Sequence, residues 1–256
     1  MKSRIEKLSI IGFGNVGSHL AKAFDQHGIH VSHIYARSRE LAEKSAGATN
    51  SIVVDRIEDL PERQLVILCV PDAAIADVIT QISATCPIAY TSGSTDLASL
   101  PQRDQLGVFY PLQTFTKAIT LDLSQVHIFI ESTNDYFASE LFDLAWAISR
   151  NVNYATSEER KHLHLAAVWV NNFSNHMNHI AHQYLDSKGL NFDHLKPLLL
   201  ETAQKLQTEN PLDAQTGPAR RNDSTTIAAH LQELTGDQKE IYRLISKSIQ
   251  DTYSND

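Results

Sequence analysis

Leu8-Ser9-Ile10-Ile11-Gly12-Phe13-Gly14-Asn15-Val16-Gly17 joins a continuous apolar run to a Gly-x-Gly-x-x-Gly turn, and an apolar pattern at helical spacing, Val16, Leu20, Ala23 and Phe24, begins inside that turn. Gly12 permits the sharp reversal at the strand end. Gly14 lets backbone approach a pyrophosphate without a Cβ, and Gly17 allows the helix to pack closely on the strand. The start of the helix then offers N–H donors and a partial positive charge to phosphate. Strand, turn and helix in this order predict a dinucleotide-binding unit, with Gly12, Phe13, Gly14, Asn15, Val16 and Gly17 as its contact residues.

The pattern around this unit repeats its logic. Residues 8–11, 30–36, 51–54, 65–70, 87–91, 106–109 and 126–131 are short apolar or β-branched runs, several of them nearly continuous, as parallel strands buried on both faces require. Helical patterns over 15–27, 39–46, 73–83 and 135–150 lie between them, with Asp72 expected to open the third. The alternation predicts an α/β fold, a doubly wound, mostly parallel sheet over residues 1–155. After Tyr154 the strand signal stops. Helical segments near 157–187, 194–208, 224–235 and 237–252 predict an all-α C-terminal domain over 156–256. Its first helix, capped by Thr156 or Ser157 and followed by Gly189, would run about 45 Å at 1.5 Å per residue. That exceeds what a small domain needs internally, so the C-terminal domain is expected to dimerise.

Bulk composition narrows the partners. The 256 residues carry a formal charge of −8, with 42% hydrophobic and 20% charged side chains. An acidic surface argues against nucleic acid and anionic membrane as partners and leaves a small-molecule substrate. No segment has the apolar length of a membrane span. Two cysteines, Cys69 and Cys86, form no disulfide framework and no zinc spacing, which fits a reducing, cytoplasmic setting.

The end of the second strand specifies the nucleotide further. A carboxylate there would accept from a ribose 2′-hydroxyl, but the chain has Arg37-Ser38-Arg39. Arg37 can form charge-assisted bonds to a 2′-phosphate and Ser38 can add a hydroxyl, so NADP is expected ahead of NAD. Two later strands end in Cys69-Val70-Pro71-Asp72 and Thr91-Ser92-Gly93-Ser94. Val70, Pro71, Ser92 and Gly93 are therefore expected beside the cofactor, although turn and capping chemistry explains the serines equally well. Cys69, among apolar neighbours, reads as a small buried hydrophobe.

These motifs, followed by Phe109-Tyr110-Pro111-Leu112-Gln113-Thr114-Phe115 and by Thr216-Gly217-Pro218-Ala219-Arg220-Arg221-Asn222-Asp223, resemble the bacterial Rossmann-like proteins with a DUF2520 C-terminal domain. The N-terminal half is similar to pyrroline-5-carboxylate reductase, the coenzyme F420-dependent NADP oxidoreductases and prephenate dehydrogenase. The resemblance implies a fold and a nicotinamide cofactor and stops short of a substrate. Two positions depart from the pattern. Tyr110 stands where a histidine precedes the Pro-Leu pair, removing an imidazole acid/base there. Asn222 replaces a glycine, and asparagine tolerates the left-handed conformation that such a turn needs.

Hydride transfer to or from a C=O or C=N bond needs a proton donor and a clamp for the rest of the substrate. In the similar two-domain dehydrogenases these sit on the first long C-terminal helix, where this chain offers His164, Asn171 and Asn172, expected on one face with Val168. The loop 211–223 has no helical periodicity, and its Arg221 matches the family arginine as a carboxylate or phosphate clamp, or else pairs with Asp223. His176, His179 and His182 drift around the helix without a completing carboxylate or thiolate, so no metal is expected. The expectation is an NADP-dependent oxidoreductase acting on a small anionic carbonyl or imine compound, with a non-catalytic NADP(H) sensor or scaffold as the alternative. No motif separates an imino acid, a keto acid and a deazaflavin as reaction partner.

Overall fold

The computed structural model describes residues 5–47, 49–116 and 121–254. The chain divides into two compact units, Met1–Asn172 and Phe173–Asp256.

Among the described residues of the first unit, eight strands form one sheet: β1 (Lys7–Ile11), β2 (His30–Tyr35), β3 (Ile52–Val53), β4 (Leu65–Leu68), β5 (Ile88–Tyr90), β6 (Leu106–Pro111), β7 (His127–Ser132) and β8 (Asn151–Tyr154). Their spatial order is β3-β2-β1-β4-β5-β6-β7-β8. All neighbours are parallel except β6 and β7, which run antiparallel. The order reverses direction at β1, between β2 and β4, which is where an open α/β sheet leaves a crevice at its carboxyl edge. β8 was not expected: Asn-Val-Asn-Tyr at a sheet edge buries only Val152 and so carries no apolar run.

Helices α1 (Asn15–Gln26), α2 (Arg39–Ala46), α3 (Ile75–Gln81) and α4 (Asp135–Ile148) connect these strands. The side chains of each strand alternate between two buried faces. Leu65 and Ile67 join Leu8, Ile10, Phe24 and Phe109 on one side. Val66 and Leu68 join Ile11, Ile75, Ile79 and Val108 on the other. Leu65 to Leu68 are all buried, which is why the run reads as unbroken apolar sequence. Each such side chain contributes roughly 1.5–3 kcal/mol by leaving water. The helix expected over 73–83 is shorter. A 3₁₀ turn, Asp72–Ala74, precedes α3, so the cap positions fall on Pro71 and Ala74, and the Asp72 carboxylate accepts from Ser94 Oγ.

The helix expected over 157–187 is interrupted. Helix α5 (Ser157–Ala167) begins with a capping box, in which Thr156 Oγ1 accepts from the Glu159 N–H and the Glu159 carboxylate accepts from the Thr156 N–H at 2.8 Å. A π-helical turn, Val168–Phe173, follows, and α6 (Ser174–Ser187) continues into the second unit. An i→i+5 turn holds about one more residue than an α turn. Asn171 and Asn172 lie inside this turn, so their register relative to His164 differs from that of the continuous α-helix that was expected.

In the second unit, α6 is followed by α7 (Lys196–Lys205), α8 (Pro211–Ala214), α9 (Ser224–Glu233) and α10 (Gly236–Tyr253). Helix α8 lies in a loop expected to have no secondary structure; Asn210 caps it through the Leu212 N–H and Pro211 presets its first turn. Gly189 adopts φ 68° after α6, and Asn222 adopts φ 53° where a glycine was expected, as an asparagine can. Asp223 then caps α9 by accepting from the Thr226 N–H at 3.0 Å.

Candidate functional site

Three chain segments meet at the end of β1. Gly12 adopts φ 92°, and a Cβ on it would stand 2.3 Å from the Cys69 carbonyl oxygen. A Cβ on Gly17 would stand 2.1 Å from the Gly12 carbonyl oxygen. Neither position accepts a side chain. The Gly12 N–H donates to the Tyr35 carbonyl at 2.8 Å, and the Cys69 N–H donates to the Ile11 carbonyl at 2.7 Å, which locks the turn to β2 and to β4. Gly14 differs, because a Cβ there would meet no atom within 4 Å. It is the N-cap of α1 and makes no side-chain cap, and the first turn of α1 holds no acidic residue. Unpaired N–H groups with an uncancelled helix dipole favour an anion at this point.

The turn opens onto a cavity of about 620 Å³ lined by Gly12, Phe13, Gly14, Asn15 and Val16, by Arg37 and Ser38, and by Val70 and Pro71, with Ile57 and Val78 adding apolar wall. Of the expected cofactor residues, Gly17 lies behind this wall, against Gly12. Arg37 is exposed on the cavity rim. Arg39 points elsewhere: it pairs with Glu43 at 2.7 Å and with Asp55. A turn lacking Cβ atoms at Gly12 and Gly14, open helix N–H groups and an arginine at the far end suit a dinucleotide. Gly12 to Val16 would hold its pyrophosphate and Arg37 with Ser38 its adenosine end.

Cys69 lies under the turn, and burial pushes its thiol up to about 12, so it stays protonated as a packing group. Ser92 and Gly93 lie outside this cavity. Ser92 is buried; its Oγ accepts from the Ser94 and Thr95 N–H groups at 3.1 and 3.0 Å, so it shapes the loop after β5. Gly93 has a packing role, because a Cβ there would stand 2.6 Å from the Tyr110 ring and 2.8 Å from its hydroxyl.

That ring carries a contact absent from the sequence reading. Tyr110, near the end of β6, places its hydroxyl 3.2 Å from His164 Nδ1 on α5. Burial pushes the Tyr110 phenol up, Arg160 pulls it back and Asp72 adds to the rise, so the hydroxyl keeps its proton. His164 is half-buried, whereas Asn171 and Asn172 are exposed in the π-helical turn.

A fully buried arginine organises the same loops. Arg160 donates through Nη2 to Glu131 at 2.7 Å, through Nη1 to the Ser92 carbonyl at 2.9 Å, and through Nη2 to the Thr95 carbonyl at 3.1 Å. Glu131 also accepts from the Ser157 N–H and hydroxyl, tying the start of α5 to β7. The Tyr90 hydroxyl donates to the Thr95 carbonyl at 3.1 Å, and burial pushes its phenol up to about 12. A buried charge survives only when paired and hydrogen-bonded in this way. The one sequence signal for it is Glu131, a carboxylate inside the apolar strand His127-Ile-Phe-Ile-Glu, whose partner lies 29 residues away.

Arg221 is exposed in the second unit, and its charge contributes to holding the Asp223 carboxyl below its usual range, where hydrogen bonds from Thr226 have the larger effect. Among the described residues, no three His, Cys, Asp or Glu side chains converge on a metal position. Among the described residues, no helix is long and apolar enough to cross a membrane.

Residues 1–107 match the Rossmann-like domain family, and residues 126–249 match the domain of unknown function DUF2520. Among solved structures, a candidate NADP oxidoreductase from Bacteroides fragilis is 33% identical with a TM-score of 0.88, covering 98% of each chain. Protein TM1727 from Thermotoga maritima is 21% identical with a TM-score of 0.72, over 97% of this chain and 98% of its own. The 1-pyrroline-5-carboxylate reductase from Streptococcus pyogenes is 18% identical with a TM-score of 0.65, over 97% of each chain, a likeness of fold. No curated protein matches the sequence. Sequence, sheet order and the 33% identical structure agree, and the chain belongs to the family of Rossmann-like proteins with a C-terminal DUF2520 domain.

Proposed function

We propose that the protein is an NADP-dependent oxidoreductase that moves a hydride to or from a small anionic carbonyl or imine compound. The observation that carries this reading is the turn at Gly12–Gly17, too tight for a side chain at Gly12 or Gly17 and opening onto the cavity that Arg37 shares. The description of the 33% identical relative as a candidate NADP oxidoreductase supports it. When bound, the dinucleotide would supply or accept the hydride; the chain supplies everything else. Gly12 to Val16 bind the pyrophosphate by backbone N–H groups, Val70 and Pro71 confine the far side, and Arg37 with Ser38 selects the 2′-phosphate. His164 is the proton donor, Asn171 and Asn172 are substrate contacts, and Arg221 is the anion clamp.

Titration with NADPH and with NADH, followed by nicotinamide fluorescence, tests the cofactor. NADPH should bind more tightly, and Arg37→Ala should weaken NADPH by about 10- to 100-fold, the worth of a charge-assisted bond, while leaving NADH unchanged. Equal affinity for both nucleotides in the parent protein would overturn the NADP assignment. Binding without turnover is the second reading. It is favoured by Ser92 and Ser94, whose hydroxyls are engaged by loop and Asp72 contacts and are not left facing a substrate.

The same reading includes a homodimer made through the helical part. It is supported by large apolar side chains left in water there: Val170 is 75% exposed, Leu244 66%, Trp169 64% and Leu198 62%. Sedimentation of a single-chain species would remove this part of the proposal.

A further inference from the structure

We propose that Tyr110 and His164 form a two-residue proton relay serving a carbonyl substrate, with Tyr110 as an acid that the sequence alone did not assign. The proposal rests on the oxidoreductase reading above and adds the group that completes its chemistry. Three observations carry it. The Tyr110 hydroxyl and His164 Nδ1 are 3.2 Å apart, although 54 residues separate them. Gly93 lacks a Cβ where one would stand 2.8 Å from that hydroxyl, so the loop after β5 is moulded around the phenol. Both Gly93 and Tyr110 lie at the carboxyl edge of the sheet, where ligands of this fold sit.

The hydrogen bond fixes the direction of the relay. Tyr110 is buried, and a buried O–H without an acceptor costs about 1–3 kcal/mol. Among the described residues, His164 Nδ1 is the acceptor within reach, so the phenol donates to Nδ1 and the imidazole proton sits on Nε2. In the reducing direction, a reduced nicotinamide held at this site would supply the hydride that turns the carbonyl into an oxyanion. The Nε2–H bond breaks as the substrate O–H forms. The Tyr110 O–H bond breaks as Nδ1–H forms, and the phenolate left behind recovers its proton from solvent. Oxidation of the alcohol runs the same steps backwards. A carbonyl needs this proton, whereas hydride addition to a cationic iminium gives a neutral amine with none.

Nitrogen-15 spectroscopy of the His164 imidazole in the full chain tests the relay without turnover. In the nucleotide-free protein, Nδ1 should give the signal of an unprotonated acceptor, and Tyr110→Phe, which keeps the ring beside Gly93, should abolish that single-tautomer signature. An imidazole signal unchanged by Tyr110→Phe overturns the relay. Saturating NADPH should then shift the His164 signal. If fluorescence shows NADPH bound while His164 does not move, the relay is wrong and the cofactor reading stands; if NADPH does not bind, the cofactor reading itself fails.

Discussion

The two units of the chain solve the problem of burying apolar surface differently. In the first, the strands are covered on both faces and most of their side chains are fully withdrawn from water. In the second, the described residues with that degree of burial are Ala219 and Ser246, and leucines at 190, 198, 200, 212 and 244 are more than half exposed. An apolar cavity of about 500 Å³ lies between α6, α9, α10 and the loop before α9, lined by Met177, Ile180, Tyr184, Ile241 and Ile245 among others. A doubly wound sheet carries its own core, so its stability is intrinsic to one chain. A set of short helices with exposed leucines depends on whatever covers them. The contrast predicts that substitutions of apolar residues act on folding in the first unit and on association in the second.

The largest effect expected is from Arg160→Leu. It removes the fully buried cation from a partly buried Glu131 and releases the Ser92 and Thr95 carbonyls. Urea denaturation should show a loss of about 3–5 kcal/mol, the usual result of breaking one side of a buried pair. A loss under about 1 kcal/mol would mean the first unit does not depend on this node. Next, Tyr110→Phe should lower turnover of a carbonyl substrate by about 10²-fold, the low end of general acid contributions, with NADPH affinity unchanged. An equal loss of NADPH affinity would make Tyr110 a packing residue of the cofactor site. Leu198→Asp sharpens the other half of the contrast. Analytical ultracentrifugation should show dissociation, while NADPH binding by the first unit persists.

The smallest effect is one of acidity. Hydrogen bonds from the Thr226 N–H and hydroxyl hold the Asp223 carboxyl below its ordinary range. Its contribution is therefore complete above the unfolded-state value, near pH 4, and is lost as pH falls through the lowered folded value. Helical ellipticity should decline in that window, and Asp223→Asn, which can cap α9 without titrating, should flatten the decline.

How much of this was legible in the sequence depends on how local each cause is. The β1 turn, the alternation of strands and helices, the Thr156–Glu159 box and the left-handed Asn222 each arise within a few residues, and spacing reveals them. The π-helical turn is local too, but it changes register without changing composition, so α-helical arithmetic could not see it at Asn171 and Asn172. Strand β8 is short and polar because the sheet edge asks little of it. Arg160 with Glu131, and Tyr110 with His164, are joined only by the topology. Tyr110 was read as the loss of an imidazole at its own position, and nothing in the sequence signals that the fold sets the His164 ring of α5 against its hydroxyl.

Gly93 shows what such non-local joins mean for anyone altering this chain. Its missing side chain is an imprint of a phenol 17 positions later, so positions 93 and 110 form a single unit of variation. Enlarging residue 93 should be disruptive beside Tyr110 and much better tolerated beside a small residue, a non-additivity that single-site libraries cannot see. A search for new specificity at this edge of the sheet should therefore randomise the two positions together.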